Sequence, residues 1–405
     1  MQTHFQGTPF HAATSEFVTS CFWYGWGDYV VPDIYTSMRD ELVAIRERAA
    51  LIDMSPIPKT VFKGPDAGVL LDKLITRPVA TLNEGRCLYT PWCDDAGLMI
   101  GDGLIFRLSA DEYIVVGENS QSWFESHRGD LDVAVLEKTD DYGVLSLQGP
   151  RSSEILAKAV DGNWTEIGFS ELAFHKIAGH DVFIARQGFT GEKGYEIWTS
   201  RDGSDVWRAV REAGAEFDIL PAGEYAVDIA RIEAGLILVS ADYTGSGPDQ
   251  KTANVAVDTT LHITPIEAGL SRLVDFDGDR EFIGKSALTK LRDSQHSKRR
   301  FAGLQLSAED TARVCQSTGS QHEALSRVYW GSTGVFLKEE QIGRASSICW
   351  SPTVGSAIAF GFLDSNKTKE GDTVQLDLPN IDGRILGRVS ATIVETPFIE
   401  LKRSK

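Results

Sequence analysis

The chain has 405 residues, with 40 Lys and Arg against 58 Asp and Glu, a formal net charge of −18, and 42% hydrophobic and 24% charged residues. At about 100–200 residues per domain this makes roughly two to four domains, and the composition is that of a folded chain, not a disordered one. The charge argues against coating nucleic acid or docking on anionic membranes, and no apolar run nears the ~20 residues that span a bilayer.

The opening residues lack the basic stretch and apolar run of a signal peptide. Five scattered cysteines, an odd number, fit a reducing compartment, so a cytoplasmic protein is expected. The first helix is predicted over 37–53, with Leu42, Ile45, Ala49 and Ile52 at helical steps, Ser37 as N-cap and Pro56 and Pro58 beyond it. Next come a strand at 59–63, a helix at 67–74, strands at 87–93, 97–108, 113–116 and 144–147, and a helix at 151–160. This alternation predicts an α+β unit with an antiparallel sheet. Strands at 183–186 and 194–199 flank the turn-rich Gly188-Phe189-Thr190-Gly191, and helices follow at 206–213 and 222–237. Past residue 285 the chain turns strand-rich, which predicts a separate C-terminal β domain. The basic stretch 290–300 reads as a solvated connecting segment.

Generic chemical motifs are absent. No Gly-x-Gly-x-x-Gly follows a strand, and there is no phosphate loop and no nucleophile elbow. The eight histidines form no ligand-like spacing, so no metal is expected. Cys87 and Cys93 read as buried thiols. Three features stand out. Cys21-Phe22-Trp23-Tyr24-Gly25-Trp26-Gly27 carries four aromatics in five positions, and consecutive aromatics cannot all face one core. Asp102 sits on a strand between two glycines, which suggests close approach by another backbone or a ligand. Glu196 shares a strand face with Trp198, and a buried glutamate there needs hydrogen-bond donors, such as the N–H groups of a heterocycle.

In chain order, several segments form one pattern. They include Lys63-Gly64-Pro65-Asp66-Ala67, Leu147-Gln148-Gly149-Pro150, Gly188 through Ile197, Arg231-Ile232-Glu233-Ala234-Gly235, Thr264 through Leu270, and Ser351-Pro352-Thr353-Val354-Gly355. Together they resemble the folate-dependent aminomethyltransferase family, founded on the T-protein of the glycine cleavage system. The resemblance covers nearly the whole chain. It implies a three-domain cloverleaf with a C-terminal β-barrel-like domain and tetrahydrofolate in a central channel. The implied domains are 1–58 with 144–255, 59–143 with 256–288, and 289–405. Carried over by motif, Asp102 matches the catalytic acid and Glu196 the glutamate that holds the pteridine. Tyr89, Leu104, Phe106, Val116 and Phe189 match positions lining the pterin site.

Several family positions differ. Leu42 stands for a histidine, Val227 for an arginine, Val239 for a tyrosine, and Pro56 for the histidine of Asp-Val-Ser-His-Met. These departures resemble the family's demethylase branch. The reading is therefore a tetrahydrofolate-dependent demethylase moving a methyl group from an aromatic methyl ether to N5 of tetrahydrofolate, with Trp23, Tyr24 and Trp26 as the donor-binding cluster. The alternatives are a dimethylsulfoniopropionate or N-methyl amino acid demethylase, a glycine cleavage aminomethyltransferase working with a lipoylated carrier protein, and a non-catalytic folate-binding protein. The expected partner is a small-molecule methyl donor, with neither nucleic acid nor membrane. The oligomeric state stays open, a monomer being plausible. The basic residues that hold the folate glutamate tail are not legible.

Overall fold

The computed structural model describes residues 5–201, 203–248, 259–294, 297–319 and 325–404. Among them, a six-stranded sheet runs in the order Leu172–Ile177, His180–Ala185, Gly194–Ser200, Tyr142–Gln148, Ala50–Asp53, Leu220–Pro221. A five-stranded antiparallel sheet runs Arg86–Cys93, Met99–Arg107, Glu112–Gly117, Lys59–Lys63, Ala134–Glu137. The chain leaves the first sheet after Asp53, builds the second, and returns at Tyr142. We propose a domain boundary at 58/59, at the first crossing; the expected 143/144 boundary falls inside the Tyr142–Gln148 strand. The expected 255/256 boundary lies outside the described residues, and the expected 288/289 boundary falls inside the Lys285–Ser294 helix.

The C-terminal third closes into a six-stranded barrel, so the mixed α and β architecture with a terminal barrel holds. Each sheet and the barrel has a core of its own. The largest cluster sits where all three meet, joining Ile52, Phe106, Trp198, Ile229 and Phe360. That junction is the only place where residues of all three units converge among these clusters, and the candidate site lies against it.

Several elements differ from the sequence reading. The helix expected over 37–53 ends early: Met38–Glu47 is helical, with the Ser37 hydroxyl accepting from the Asp40 N–H as N-cap. Arg48 then leaves the helical region, and Ala50–Asp53 is a strand. All four of its residues are buried, because the strand lies between two others with both faces covered. A fully buried strand shows no period of two, so its leucine and isoleucine extended the helical spacing by coincidence. The 222–237 helix is Glu224–Glu233. Phe22–Trp26 is a strand paired with Tyr29–Ile34. In the stretch 290–300, residues 290–294 end the Lys285–Ser294 helix and 299–300 open the Arg299–Leu306 strand, and its described residues are exposed or half-buried. A second helix, Ala308–Thr318, also interrupts the strand-rich region.

Candidate functional site

Alternation along Met99–Arg107 puts Asp102, Leu104 and Phe106 on one face of the five-stranded sheet. Leu104 lies opposite Tyr89 on one neighbouring strand and Val116 on the other. Five of the expected residues therefore share this face. Gly103, beside Asp102, and Gly117 opposite it serve a close backbone approach. A Cβ on Gly103 would stand 2.0 Å from the Val116 carbonyl oxygen, and one on Gly117 2.4 Å from the Asp102 oxygen. Gly103→Ala is expected to destabilise the protein well beyond the ~1 kcal/mol of an average substitution, since backbone must move. Thermal unfolding beside wild type checks this, and an unchanged midpoint refutes it.

Asp102 is held by two phenols. Tyr89 donates to Oδ2 at 2.5 Å, and Tyr243 donates to Oδ1. Burial pushes the Asp102 carboxyl above the usual carboxylate range, the two phenols pull it back, and Asp242 pushes it up again. Burial, then the Asp102 charge, drives both phenols well above their ordinary range, so they remain donors. Asp102 as a whole residue is half-buried. Tyr243 was not among the expected residues. It follows the Glu224–Glu233 helix in irregular chain, where no periodicity marks it.

Glu196 approaches from the other sheet. The Phe106 ring meets Trp198 at 5.3 Å and Phe183 at 6.1 Å, so the sheets face each other across these rings. Trp198 stacks on Phe183 at 5.0 Å, and its Nε1 donates to Glu196 Oε2 at 3.3 Å. Burial pushes Glu196 up to about 7, against the Trp198 hydrogen bond and the charge of Lys59. Phe189 is half-buried and packs on the central cluster.

The aromatic run divides by strand alternation. Tyr24 and Trp26 face inward, Trp26 onto the central cluster and Tyr24 onto Trp330 at 6.3 Å. Trp23 points the other way, onto His11 at 5.3 Å, so the three are not brought together. Tyr24 instead stands among acids: after burial, Glu224, Asp228 and Asp33 each raise its phenol. Trp330 donates to Asp228 Oδ2 at 2.6 Å. A cationic group also surrounds Tyr89. Arg77 donates to the Tyr89 carbonyl at 3.0 Å, and burial with the charge of Arg272 lowers both Arg77 and Arg403. None of these three arginines pairs with a carboxylate among the described residues. They can hold the carboxylates of an anionic ligand, a role sequence spacing did not reveal.

With this geometry in place, comparison with known proteins is decisive. Residues 11–278 match the GCVT N-terminal domain, and residues 319–400 match the glycine cleavage T-protein C-terminal barrel domain. The chain belongs to the glycine cleavage T-protein family. It is 32% identical over 384 residues to an aminomethyltransferase of Halothermothrix orenii, covering 93% of this chain and 94% of that one. An aminomethyltransferase of Thermotoga petrophila is 30% identical over 380 residues, covering 92% of each. The crystal structure of the glycine cleavage system aminomethyltransferase T from Bartonella henselae superposes with a TM-score of 0.78 at 21% identity, covering 99% of both chains.

As a member of this family the protein is a one-carbon transferase that uses tetrahydrofolate. The site fits that group. Two carboxyls, Asp102 and Glu196, lie on facing sheets, with Phe106 buried between the sheets. Glu196 can accept from pterin N–H groups, and the arginines at Tyr89 can hold the glutamate tail. No helix among the described residues is long and apolar enough to cross a membrane.

Proposed function

We propose that the protein transfers a one-carbon unit from a nitrogen-bearing donor to tetrahydrofolate, the aminomethyl transfer that its relatives' name describes. The observation that carries this reading is Asp102, fixed between two phenols on a face that meets the Glu196 sheet. Tetrahydrofolate supplies the nucleophilic nitrogen that accepts the unit. Asp102 holds or moves a proton near that nitrogen, and the phenols keep its carboxyl aimed. Glu196 orients the pterin.

A second reading keeps methyl transfer from an aromatic methyl ether, or from a sulfonium or N-methyl amino acid. Leu42 and Val227, where the family resemblance implies a histidine and an arginine, are packed in the central core here. The Tyr24–Trp330 pair offers an aromatic wall. The names of the relatives favour the aminomethyl reading.

The test gives the protein tetrahydrofolate and a donor panel: aminomethyl-loaded lipoyl carrier protein, N-methyl amino acids, dimethylsulfoniopropionate and methoxybenzoates. Methylene-tetrahydrofolate from the carrier protein is expected. 5-Methyltetrahydrofolate from a methoxybenzoate or the sulfonium supports the second reading, and no folate product from any donor overturns both.

A further inference from the structure

Two of the segments that carry the family pattern, Leu147-Gln148-Gly149-Pro150 and Gly188 through Ile197, meet at one side chain. Gln148 ends the Tyr142–Gln148 strand and is fully buried. Its register partner is Gly194, which opens the Gly194–Ser200 strand that carries Glu196. The amide fills the space between two glycines. A Cβ on Gly188 would stand 2.0 Å from Gln148 Oε1, and one on Gly194 2.3 Å from its Nε2. A buried primary amide is costly unless its oxygen and both N–H groups are bonded. Here all of them are. Nε2 donates to the Gln187 carbonyl at 3.1 Å and to the Ser146 hydroxyl at 2.9 Å, and Oε1 accepts from the Thr190 hydroxyl at 2.8 Å.

These bonds bracket Phe189, which lies in irregular chain between the His180–Ala185 and Gly194–Ser200 strands. Gln187 comes before the ring and Thr190 after it, and among the described residues Gln148 alone bonds on both sides. The other tethers hold only the far end of the turn. Arg46 donates to the Thr190 carbonyl at 2.6 Å, and the Lys402 and Arg403 N–H groups donate to the Gly191 carbonyl at 2.8 and 3.1 Å. The remaining Gln148 bond reaches Ser146, which sits opposite Glu196 in the strand register.

We infer that Gln148 is a positioning residue of the pterin site, its amide fixing the turn that presents Phe189. This rests on the folate reading of the site above, with Phe189 against the pterin. Gln148 itself touches no ligand in this role, because its polar atoms are all engaged by the protein. An apolar side chain of the same length would fill the gap between the glycines. It would leave the Gln187 carbonyl and the Thr190 hydroxyl without their shared partner, and the turn would then have to be ordered by the ligand.

The experiment is calorimetric titration of the full chain with 5-formyltetrahydrofolate, for wild type, Gln148→Met, Phe189→Ala and the double variant, with thermal unfolding of each. Gln148→Met should weaken binding about tenfold, the scale of ordering one or two side chains on association. Phe189→Ala should also weaken it. In the Phe189→Ala background Gln148→Met should add less than about twofold, because it acts through that ring. A glutamine that only supports the fold would lower the melting temperature without weakening binding, or would multiply its effect with that of Phe189→Ala, and either result overturns the inference. Should Gln148→Met not fold, Thr190→Val decides, since it removes the hydroxyl bonded to Oε1. It should weaken binding about threefold, the scale of one neutral hydrogen bond, and again add little to Phe189→Ala. Thr190→Val that binds as wild type, or adds its full effect to Phe189→Ala, overturns the inference. If Phe189→Ala itself binds as wild type, the folate reading of Phe189 fails first and Gln148 falls with it.

Discussion

Asp102→Asn should lower turnover by about 10²–10⁴-fold while leaving folate affinity little changed. The amide keeps the shape of the carboxyl but cannot hold or pass a proton. It also offers one acceptor oxygen where Tyr89 and Tyr243 each need one. One phenol is left facing an amide nitrogen. Tyr243→Phe separates these effects. It retains the acid but removes a hydrogen bond that lowers its pKa. The carboxylate form is lost as pH falls through the folded value, which burial already places above the usual carboxylate range. Tyr243→Phe should therefore move the acidic limb of the rate profile upward, with a smaller loss of rate at its plateau. Steady-state rates against pH, with folate binding measured separately, check both variants. Turnover in Asp102→Asn within tenfold of wild type would show that the proton sits elsewhere.

Asp102 and Glu196 stood out locally, as an acid between glycines on a strand and a glutamate on the same strand face as a tryptophan, but only the family resemblance implied roles for them. The structure explains both anomalies, one by the Gly103–Gly117 backbone approach and the other by the Trp198 hydrogen bond. Four strands of the five-stranded sheet were legible, and Ala134–Glu137 was not. Nor was Ala50–Asp53, because burial on both faces erases alternation. Tyr243 and the Arg77, Arg272 and Arg403 group share a different obstacle. Each acts on a residue from a distant segment, so neither period nor spacing marks it. The aromatic run misled for a simpler reason. Three aromatics in a strand look like one cluster, yet alternation sends Trp23 to the opposite face from Tyr24 and Trp26.

Arg231→Met carries the largest expected loss of stability, about 3–5 kcal/mol, since it leaves buried carboxylates unpaired. The guanidinium is fully buried. It bonds Asp228 at 2.8 Å, Asp242 at 2.6 Å and the Ser347 hydroxyl of the barrel at 2.7 Å. Burial alone would lower its pKa, but Asp242 and Asp228 raise it, so it stays charged. Asp242 also accepts from Ser346, Ser347 and the Leu238 N–H. The barrel is thereby tied to the segment that presents Tyr243. Losing Arg231 leaves the Asp242 charge less balanced, and Asp242 already pushes Asp102 upward. The variant should therefore melt earlier and also show its acidic rate limit at higher pH. Combining Arg231→Met with Asp242→Asn removes the unpaired charge, so the double variant should lose less stability than the two single losses added together. Thermal and urea unfolding of the four proteins, with rate profiles of those that fold, test the coupling. Strict additivity, or a loss under about 1 kcal/mol for Arg231→Met, would show that the network neither holds the barrel nor reaches the acid.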